Sequence, residues 1–128
     1  FKRVNDNFGH QVGDLVLQEL SGTLVKLCRV YDFIGRYGGE EFIICLPGAD
    51  KWNTYKIAER MRSTIESNKI FLPEKESSIS ITSSFGISSL EPGQVKNADK
   101  LINEADEALY RAKDQGRNRV VMYISELA

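Results

Sequence analysis

Two adjacent carboxylates, Glu40 and Glu41, follow a pair of glycines. Apolar stretches at residues 33–37 and 41–46 flank these glycines, so the spacing predicts a β-hairpin with the carboxylates at its tight turn. Successive strand residues point to opposite faces, which leaves Glu40, at the turn itself, freer to reach a ligand. Carboxylates bind phosphorylated ligands through a hard cation such as Mg²⁺. A solvated hairpin without a ligand explains the same residues, so the turn alone leaves both interpretations open.

An amide and a carboxylate near the start of the chain, Asn5 and Asp14, lie nine residues apart across a glycine turn. An amide offers an acceptor and donors, and a carboxylate accepts two hydrogen bonds. Together they can read the edge of guanine, which presents N1–H and N2–H donors beside an O6 acceptor. The alternative for each is structural, with Asn5 as a turn residue and Asp14 as the N-cap of the following helix.

The rest of the chain alternates between helical and strand periodicity. In chain order, the predicted elements are a helix over residues 14–28, the hairpin, a helix capped by Asp50, a strand over residues 79–88, a helix from Asn97 to a stop at Gly116 and a strand over residues 120–124. This order predicts an α/β sandwich, in which helices pack on one sheet.

The composition excludes several classes of protein. The 128 residues carry 17 basic and 18 acidic side chains, so no overall field attracts nucleic acid. No apolar run reaches the roughly 20 residues of a membrane span, and no signal peptide is visible. Cys28 and Cys45 lie in apolar runs, which predicts two reduced, buried thiols in a cytoplasmic protein. The chain begins at Phe1 without an initiator methionine, so we expect an excised fragment.

Three motifs cover nearly the whole chain. They are Phe1-Lys2-x-x-Asn5-Asp6-x-x-Gly9-His10-x-x-Gly13-Asp14, Arg36-Tyr37-Gly38-Gly39-Glu40-Glu41-Phe42 and Ala108-Leu109-Tyr110-Arg111-Ala112-Lys113-x-x-Gly116-Arg117-Asn118. In type and order they closely resemble the GGDEF family of diguanylate cyclases. The resemblance implies condensation of two GTP molecules into cyclic di-GMP with release of two pyrophosphates. It also implies a nucleotidyl-cyclase-like α+β sandwich, with helices around a central, mostly antiparallel five-stranded sheet.

The resemblance implies a metal-dependent catalytic centre at the hairpin. Glu40 corresponds to a metal ligand and proposed base for the attacking hydroxyl, and Glu41 to the acid that supports the metal site. Lys2 corresponds to a basic residue near the phosphates that stabilises the transition state. Two Mg²⁺ or Mn²⁺ ions per active site are expected, with a further aspartate ligand upstream of Phe1.

The nucleotide contacts are implied in the same way. Asn5 and Asp14 correspond to the residues that read guanine. His10 corresponds to a substrate contact, although structural packing beneath the turn explains it equally well. Lys113 and Arg117 correspond to the pair that holds the terminal phosphates, and the alternative for both is favourable charge at a helix C-terminus.

A site for the product is implied ahead of the hairpin. Arg29 and Asp32 match the family's inhibitory Arg-x-x-Asp motif in register with Gly38, and Arg60 matches a second arginine that completes it. An arginine grips phosphate or the guanine Hoogsteen edge as a fork, and an aspartate accepts from guanine N1–H and N2–H. The alternative is a surface ion pair between Arg29 and Asp32, worth under ~1 kcal/mol.

The family's first strand carries a metal ligand and lies in the middle of the sheet. It would precede Phe1, so we expect residues 1–128 to lack that strand, and the chain alone to be metal-deficient and poorly folded. An upstream sensory or dimerising module is expected in the whole protein. The domain is expected in the cytoplasm, with tethering to a membrane sensor left open.

Two competing functions belong to the same resemblance. Many domains of the family are degenerate and serve as cyclic di-GMP or GTP sensors or scaffolds, but the intact hairpin motif favours an enzyme. A relative that makes a mixed guanine–adenine dinucleotide is the other alternative, against which the Asp14 carboxylate favours guanine. The resemblance also implies that turnover requires a second GGDEF domain in a homodimer, because one domain cannot close the ring alone. No nucleic-acid partner is expected.

Overall fold

The computed structural model describes residues 7–124. Over this range the chain forms three long helices, α1 (His10–Leu27), α2 (Lys51–Ser67) and α3 (Ala98–Asp114). The strands are β1 (Phe33–Gly38), β2 (Glu41–Cys45), β3 (Lys69–Leu72), β4 (Ser77–Ser80), β5 (Phe85–Ile87) and β6 (Val120–Met122). A 3₁₀ turn, Pro73–Lys75, connects β3 to β4. None of the helices in this part of the chain is both long and apolar enough to cross a bilayer.

The described strands pair in three two-stranded ladders. The β1–β2 and β3–β4 ladders are antiparallel, and the β5–β6 ladder is parallel. Residues 7–47 with 64–81 form one compact unit, and residues 48–63 with 82–124 form a second. Helices and strands of both kinds confirm the α+β class, whereas a single five-stranded sheet stays a prediction.

The predicted strand over residues 79–88 is two strands. Its first part belongs to β4, which pairs with β3, and its second part is β5, which pairs with β6. Between them the Ser83 Oγ is buried without a hydrogen-bond partner among the described residues. The apolar side chains of both parts keep the same alternation, and Ser83, the one polar residue on that side, was not enough to predict a change of partner strand.

Two further differences concern boundaries. Helix α1 begins at His10, with Gly9 in the N-cap position at φ 87°, so the alternative of Asp14 as an N-cap is wrong. Strand β3 was not predicted, because its four residues follow α2 almost directly and only two of them are buried. The other predicted caps are confirmed. The Oδ1 atoms of Asp50 and Asn97 accept the N–H groups of Asn53 and Lys100, each at 2.8 Å.

The core of the first unit lies between α1 and the β3–β4 ladder. Val16, Ile70 and Leu72 are 1%, 7% and 2% exposed and contact one another. The partly buried apolar residues packed against them are Phe8, Val12, Leu15, Ile79 and Ile81. The alternation of β3 puts Ile70 and Leu72 on the same face, which is why so short a strand contributes twice to this core.

In the second unit, α3 lies directly against β5. A Cβ at Gly86 would come within 2.2 Å of the Leu109 N atom and 2.3 Å of the Ala105 O atom. The helix presents Ala108 and Ala112, both with no exposed surface. The small side chains on the helix and the missing side chain of Gly86 on the strand therefore let the two backbones approach.

A largely buried ion pair fixes the segment that leads into α3. Lys96 Nζ donates to Glu104 Oε1 at 2.8 Å and to the Ser89 carbonyl at 3.1 Å. The Lys96 and Glu104 side chains are 12% and 9% exposed. A buried carboxylate needs such a partner, so the pair ties the segment before α3 to the helix.

A second ion pair closes the connection between α1 and β1. The Arg29 guanidinium donates to both Asp32 carboxylate oxygens, with Nη2–Oδ1 at 2.7 Å, and to the Pro47 carbonyl at 3.1 Å. The backbone N–H of Arg29 also donates to Asp32 Oδ2 at 2.7 Å. These bonds hold the pKa of the Asp32 carboxyl below its usual value, although desolvation opposes the shift.

The cysteines differ from expectation. Cys28 and Cys45 are both free, as predicted, but Cys45 is exposed, so its predicted burial is wrong. Cys45 ends β2 opposite Phe33, on a ladder position that the described residues leave uncovered. Cys28 is half-buried, and burial, with a smaller effect from Asp32, raises its pKa.

Replacing Gly86 with alanine tests the contact between β5 and α3. We expect a loss of about 3 kcal/mol in the free energy of unfolding, the upper part of the usual range for overpacking, because backbone atoms cannot move aside as a side chain can. Gly35→Ala is the matched control, since a Cβ at Gly35 meets nothing within 4 Å and its φ is not positive. The measurement is denaturant unfolding of both variants. A free energy of unfolding for Gly86→Ala within about 1 kcal/mol of the parent would contradict the packing.

Asp32→Asn tests the ion pair through its pH dependence. The folded-state pKa of Asp32 is depressed, so the stabilisation is complete above the unfolded value near 3.9 and is lost as pH falls through the folded value. We expect the variant to be less stable than the parent at pH 7 and the difference to shrink toward pH 3. Glu107→Gln, which removes an exposed pair with Arg111, is the control. A difference that is constant from pH 7 to pH 3 would show that the charge of Asp32 is not responsible.

Candidate functional site

The predicted hairpin with its carboxylates at the turn is confirmed. Strands β1 and β2 pair from Phe33 opposite Cys45 to Gly38 opposite Glu41, with a register shift between Arg36 and Gly38. The turn consists of residues 39 and 40, and Gly39 takes φ 28°. Positive φ favours glycine, which explains locally why the first residue of the turn is a glycine.

Arg36 holds the turn from within the hairpin. Its Nε and Nη2 atoms donate to the Gly39 carbonyl at 2.8 and 2.6 Å. This bidentate contact fixes the peptide that precedes Glu40. Added Cβ atoms at Gly38 and Gly39 would meet nothing within 4 Å, so open space surrounds the turn. No pattern in the sequence predicts this role of Arg36, because a side chain bonded to a carbonyl three residues away leaves no periodic signal.

The two carboxylates differ in exposure. Glu40 is exposed at the turn, whereas Glu41, the first residue of β2, is half-buried and has interactions of its own. Both are hard oxygen donors, the type that Mg²⁺ prefers. Among residues 7–124 no group of three or more histidine, cysteine, aspartate or glutamate side chains is arranged to hold a metal ion. The carboxylates at the turn therefore fit a hard cation in kind. Two carboxylates alone, however, are fewer side-chain ligands than such a group of three or more within the described chain would supply.

His10 and Asp14 lie on one face of α1. They are four residues apart in the first turns of the helix, and both side chains are exposed. Packing beneath the turn, the structural alternative for His10, does not match this exposure. Two exposed polar side chains at this spacing can contact one ligand, one as a carboxylate acceptor and one as an imidazole.

Lys113 and Arg117 flank the C-terminal end of α3. Lys113 is half-buried and has interactions of its own, and Arg117 is exposed. The helix ends at Asp114, so Arg117 lies beyond it at φ 65°. The N–H of Arg117 donates to the Ala112 carbonyl at 2.9 Å, which closes the helix end. The two cations are thus placed by a turn and not by continuous helical spacing.

The residues predicted to bind the product are only partly free to do so. Arg29 and Asp32 bond to each other, and the Asp32 side chain has no exposed surface. Tyr31 stacks on the Arg29 guanidinium, with 4.5 Å from Cζ to the ring centroid. Arg60 is exposed on α2 and makes no hydrogen bond or ion pair with any residue from 7 to 124. Lys2 and Asn5, the other predicted site residues, lie outside the described residues.

A small cavity in the first unit contains none of the predicted site residues. Its volume is about 160 Å³, below the 300–1,000 Å³ typical of small-molecule pockets. Its lining residues are Glu19, Leu20, Thr23, Ile65, Asn68, Lys69, Ile70 and Ile81. Of the candidate carboxylates and cations, Glu40 and Arg117 are exposed, whereas Glu41 and Lys113 are half-buried.

Comparison with known proteins agrees with the family resemblance of the three sequence motifs. The sequence profile described as diguanylate cyclase, GGDEF domain, matches residues 1–119. Diguanylate cyclase A of Treponema denticola is 38% identical over 122 residues, which are 95% of this chain and 32% of that protein. Across five curated relatives, the chain spans between 17% and 32% of their length.

Solved structures share the fold over almost the whole chain. The GGDEF domain of DgcB from Caulobacter crescentus, in complex with c-di-GMP, has a TM-score of 0.89 at 31% identity, covering 97% of this chain and 72% of that one. The active GGEEF domain of a diguanylate cyclase from Vibrio cholerae has a TM-score of 0.83 at 37% identity, covering 98% of this chain and 77% of that one. Together with the profile match, which spans all three sequence motifs, these structures establish that the chain belongs to the GGDEF domain family.

Proposed function

We propose that this domain is a diguanylate cyclase, which condenses two GTP molecules into cyclic di-GMP and releases two pyrophosphates. The observation that carries the proposal is the intact Gly-Gly-Glu-Glu turn, with Glu40 exposed and its peptide held by Arg36. A domain that serves only as a sensor has no need to keep this turn. Relatives named diguanylate cyclases, at 38% and 42% identity, add support.

In the proposed reaction, the 3′-hydroxyl oxygen of each GTP forms a bond to the α-phosphorus of the other. The bond from that phosphorus to the bridging oxygen breaks, and pyrophosphate leaves with the electron pair. Glu40 accepts the hydroxyl proton. Lys113 and Arg117 hold the terminal phosphates, and Lys2 offsets charge in the transition state. His10, Asp14 and Asn5 orient the guanosine, with Asp14 and Asn5 selecting guanine through its donor edge.

Glu40 and Glu41 would hold the metal ions in this proposal. Mg²⁺ or Mn²⁺, two per site, would supply charge neutralisation at the α-phosphate when bound. Two adjacent carboxylates fit that role in kind, and the proposal places a further aspartate ligand on a strand before Phe1. The same strand would complete the mostly antiparallel five-stranded sheet.

The proposal requires a second domain of the same kind. Each GTP is held by one domain, and closing the ring needs two facing domains in a homodimer. We place the reaction in the cytoplasm, with an upstream sensory or dimerising module bringing the two domains together. The exposed positions of Glu40 and Arg117 suit a substrate shared between two surfaces.

Glu40→Gln, with the native flanking sequence present, tests the cyclase proposal. The amide keeps the shape and removes the charge that binds the metal and accepts the proton, so turnover should fall more than about a hundredfold. Glu74→Gln, an exposed carboxylate in the β3–β4 connection, is the matched control and should keep full activity. Synthesis of cyclic di-GMP by Glu40→Gln within about tenfold of the parent, ~1.4 kcal/mol, would rule out the assignment. GTP binding by the parent without any turnover would favour a sensor.

We propose in addition that cyclic di-GMP inhibits the domain through Arg29, Asp32 and Arg60. The contacts of Arg29 decide how this is tested. Removing Arg29 leaves the unexposed Asp32 carboxylate without its main partner, so a change in that variant combines lost binding with lost stability. Arg60 has no such partner among the described residues, and its removal reports on the ligand alone.

Arg60→Ala should therefore raise the inhibition constant while kcat stays at the parent level. The parent is expected to bind cyclic di-GMP in the micromolar range, about −8 kcal/mol. Arg29→Ala should also relieve inhibition, accompanied by a lower Tm. Lys56→Ala, an exposed cation one turn earlier on α2, is the control. Calorimetry that detects no binding to the folded parent, or equal inhibition of parent and Arg60→Ala, would refute the site.

A further inference from the structure

The backbone beyond α3 adopts an unfavourable conformation at two successive residues. Arg117 has φ 65° and Asn118 has φ 47°, both in the left-handed region. Side chains disfavour this region, because Cβ comes too close to the following carbonyl oxygen. Asparagine tolerates it, but arginine has no local compensation. Such residues persist only where surrounding contacts fix them, and they cluster at ligand sites.

Contacts from three directions fix this turn. The Arg117 N–H donates to the Ala112 carbonyl of α3 at 2.9 Å. The Asn118 N–H donates to Ser84 Oγ, just before β5, at 3.2 Å. The Asn118 Oδ1 atom accepts from Arg62 Nη1, on α2, at 2.9 Å. Immediately after the turn, the Phe85 N–H donates to the Arg119 carbonyl at 2.9 Å and starts the β5–β6 ladder.

Arg62 is oriented for this contact. Its side chain is 16% exposed, and its Nε donates to both carboxylate oxygens of Glu59 at 3.1 Å. Nη2 also bonds to Glu59. The planar guanidinium thus has one edge on a carboxylate one turn earlier in α2 and its remaining nitrogen on Asn118. With its charge offset by Glu59, Arg62 is suited to hold the turn and not to bind a phosphate itself.

We propose that Arg62 and Asn118 are positioning residues for nucleotide binding, which act by holding Arg117 in the one conformation that presents its side chain to the phosphates. The inference rests on the proposed function, in which Arg117 holds the terminal phosphates. In this arrangement α2 contributes to substrate affinity through the Arg62–Asn118 contact, without touching the substrate. Neither residue donates to the nucleotide.

The test compares nucleotide affinity with fold stability in the protein with its native flanking sequence. A non-hydrolysable GTP analogue is titrated by calorimetry into the parent, Arg62→Ala, Asn118→Gly, Asn118→Asp and Arg117→Ala, and Tm, KM and kcat are measured for each. Arg111→Ala is the matched control, since it removes an arginine of α3 that pairs only with the exposed Glu107 among the described contacts. It should leave the affinity unchanged.

Asn118→Gly separates positioning from stability. Glycine is favoured at positive φ, so its Tm should equal or exceed that of the parent, while the anchor for Arg62 is lost. We expect Asn118→Gly and Arg62→Ala each to weaken GTP binding and raise KM about tenfold, as for loss of one charged hydrogen bond, with kcat within about twofold. Asn118→Asp keeps the oxygen acceptor for Arg62 and should bind GTP more tightly than Asn118→Gly.

The double variant Arg62→Ala/Arg117→Ala shows whether Arg62 affects GTP binding through Arg117. If Arg62 acts through Arg117, the double variant binds GTP within about twofold of Arg117→Ala alone. The inference is overturned if Arg62→Ala weakens GTP binding as much in the Arg117→Ala background as it does alone. It is also overturned if Arg117→Ala binds GTP weakly and Arg62→Ala binds it like the parent. Either result leaves the proposed function intact. Unchanged GTP affinity in Arg117→Ala overturns both the phosphate role of Arg117 and this inference. The activity of Glu40→Gln then tests the cyclase proposal independently.

Discussion

Helix α3 and strand β5 meet backbone to backbone at Gly86, and the second unit depends on that approach. A side chain at this position would occupy the space of the helix backbone itself. Alanines without exposed surface on the facing side of α3 allow the same closeness from the helix. Because β5 pairs in parallel with β6, the position of α3 also determines where the chain leaves the helix and re-enters the ladder.

That exit is where the candidate phosphate contacts lie. A helix that ends in a relaxed cap could present a cation in many directions, whereas the turn after α3 is held in the left-handed region by hydrogen bonds with α2, with α3 and with Ser84 just before β5. The conformational free energy stored in such a turn is offset by the surrounding contacts, which also restrict the direction of the side chain.

Charge is distributed in two ways over the described residues. Lys96, Glu104 and Asp32 have little exposed surface, and each is paired with a group of opposite charge that compensates its desolvation. Glu40 and Arg117 are exposed and suit a ligand that brings its own charge. With a net charge of −1 over the chain, attraction for a polyphosphate would come from local cations such as Arg117 and not from the protein as a whole.

The sequence by itself determined what depends on neighbouring residues. The glycine pair specified a tight turn because it permits positive φ, and Asp50 and Asn97 specified helix starts because their side chains accept orphan N–H groups. The helical spacing of Ala58, Met61 and Ile65 predicts that they share one buried face, and all three are buried. The motif order was enough to indicate the family, because each motif combines residue types whose joint spacing seldom arises by chance.

Only the tertiary structure decided which distant groups meet. The apolar alternation over residues 79–88 is interrupted only at Ser83, and a single serine does not specify that the chain exchanges one partner strand for another. Cys45 lies in an apolar run yet is exposed, because burial depends on what covers a strand face and not on the strand's own residues. Arg62 and Asn118 are 56 residues apart and hydrogen-bond through side chains, a contact without period or propensity. Local preferences act over a few residues, whereas such contacts arise only when packed helices and strands bring distant parts of the chain together.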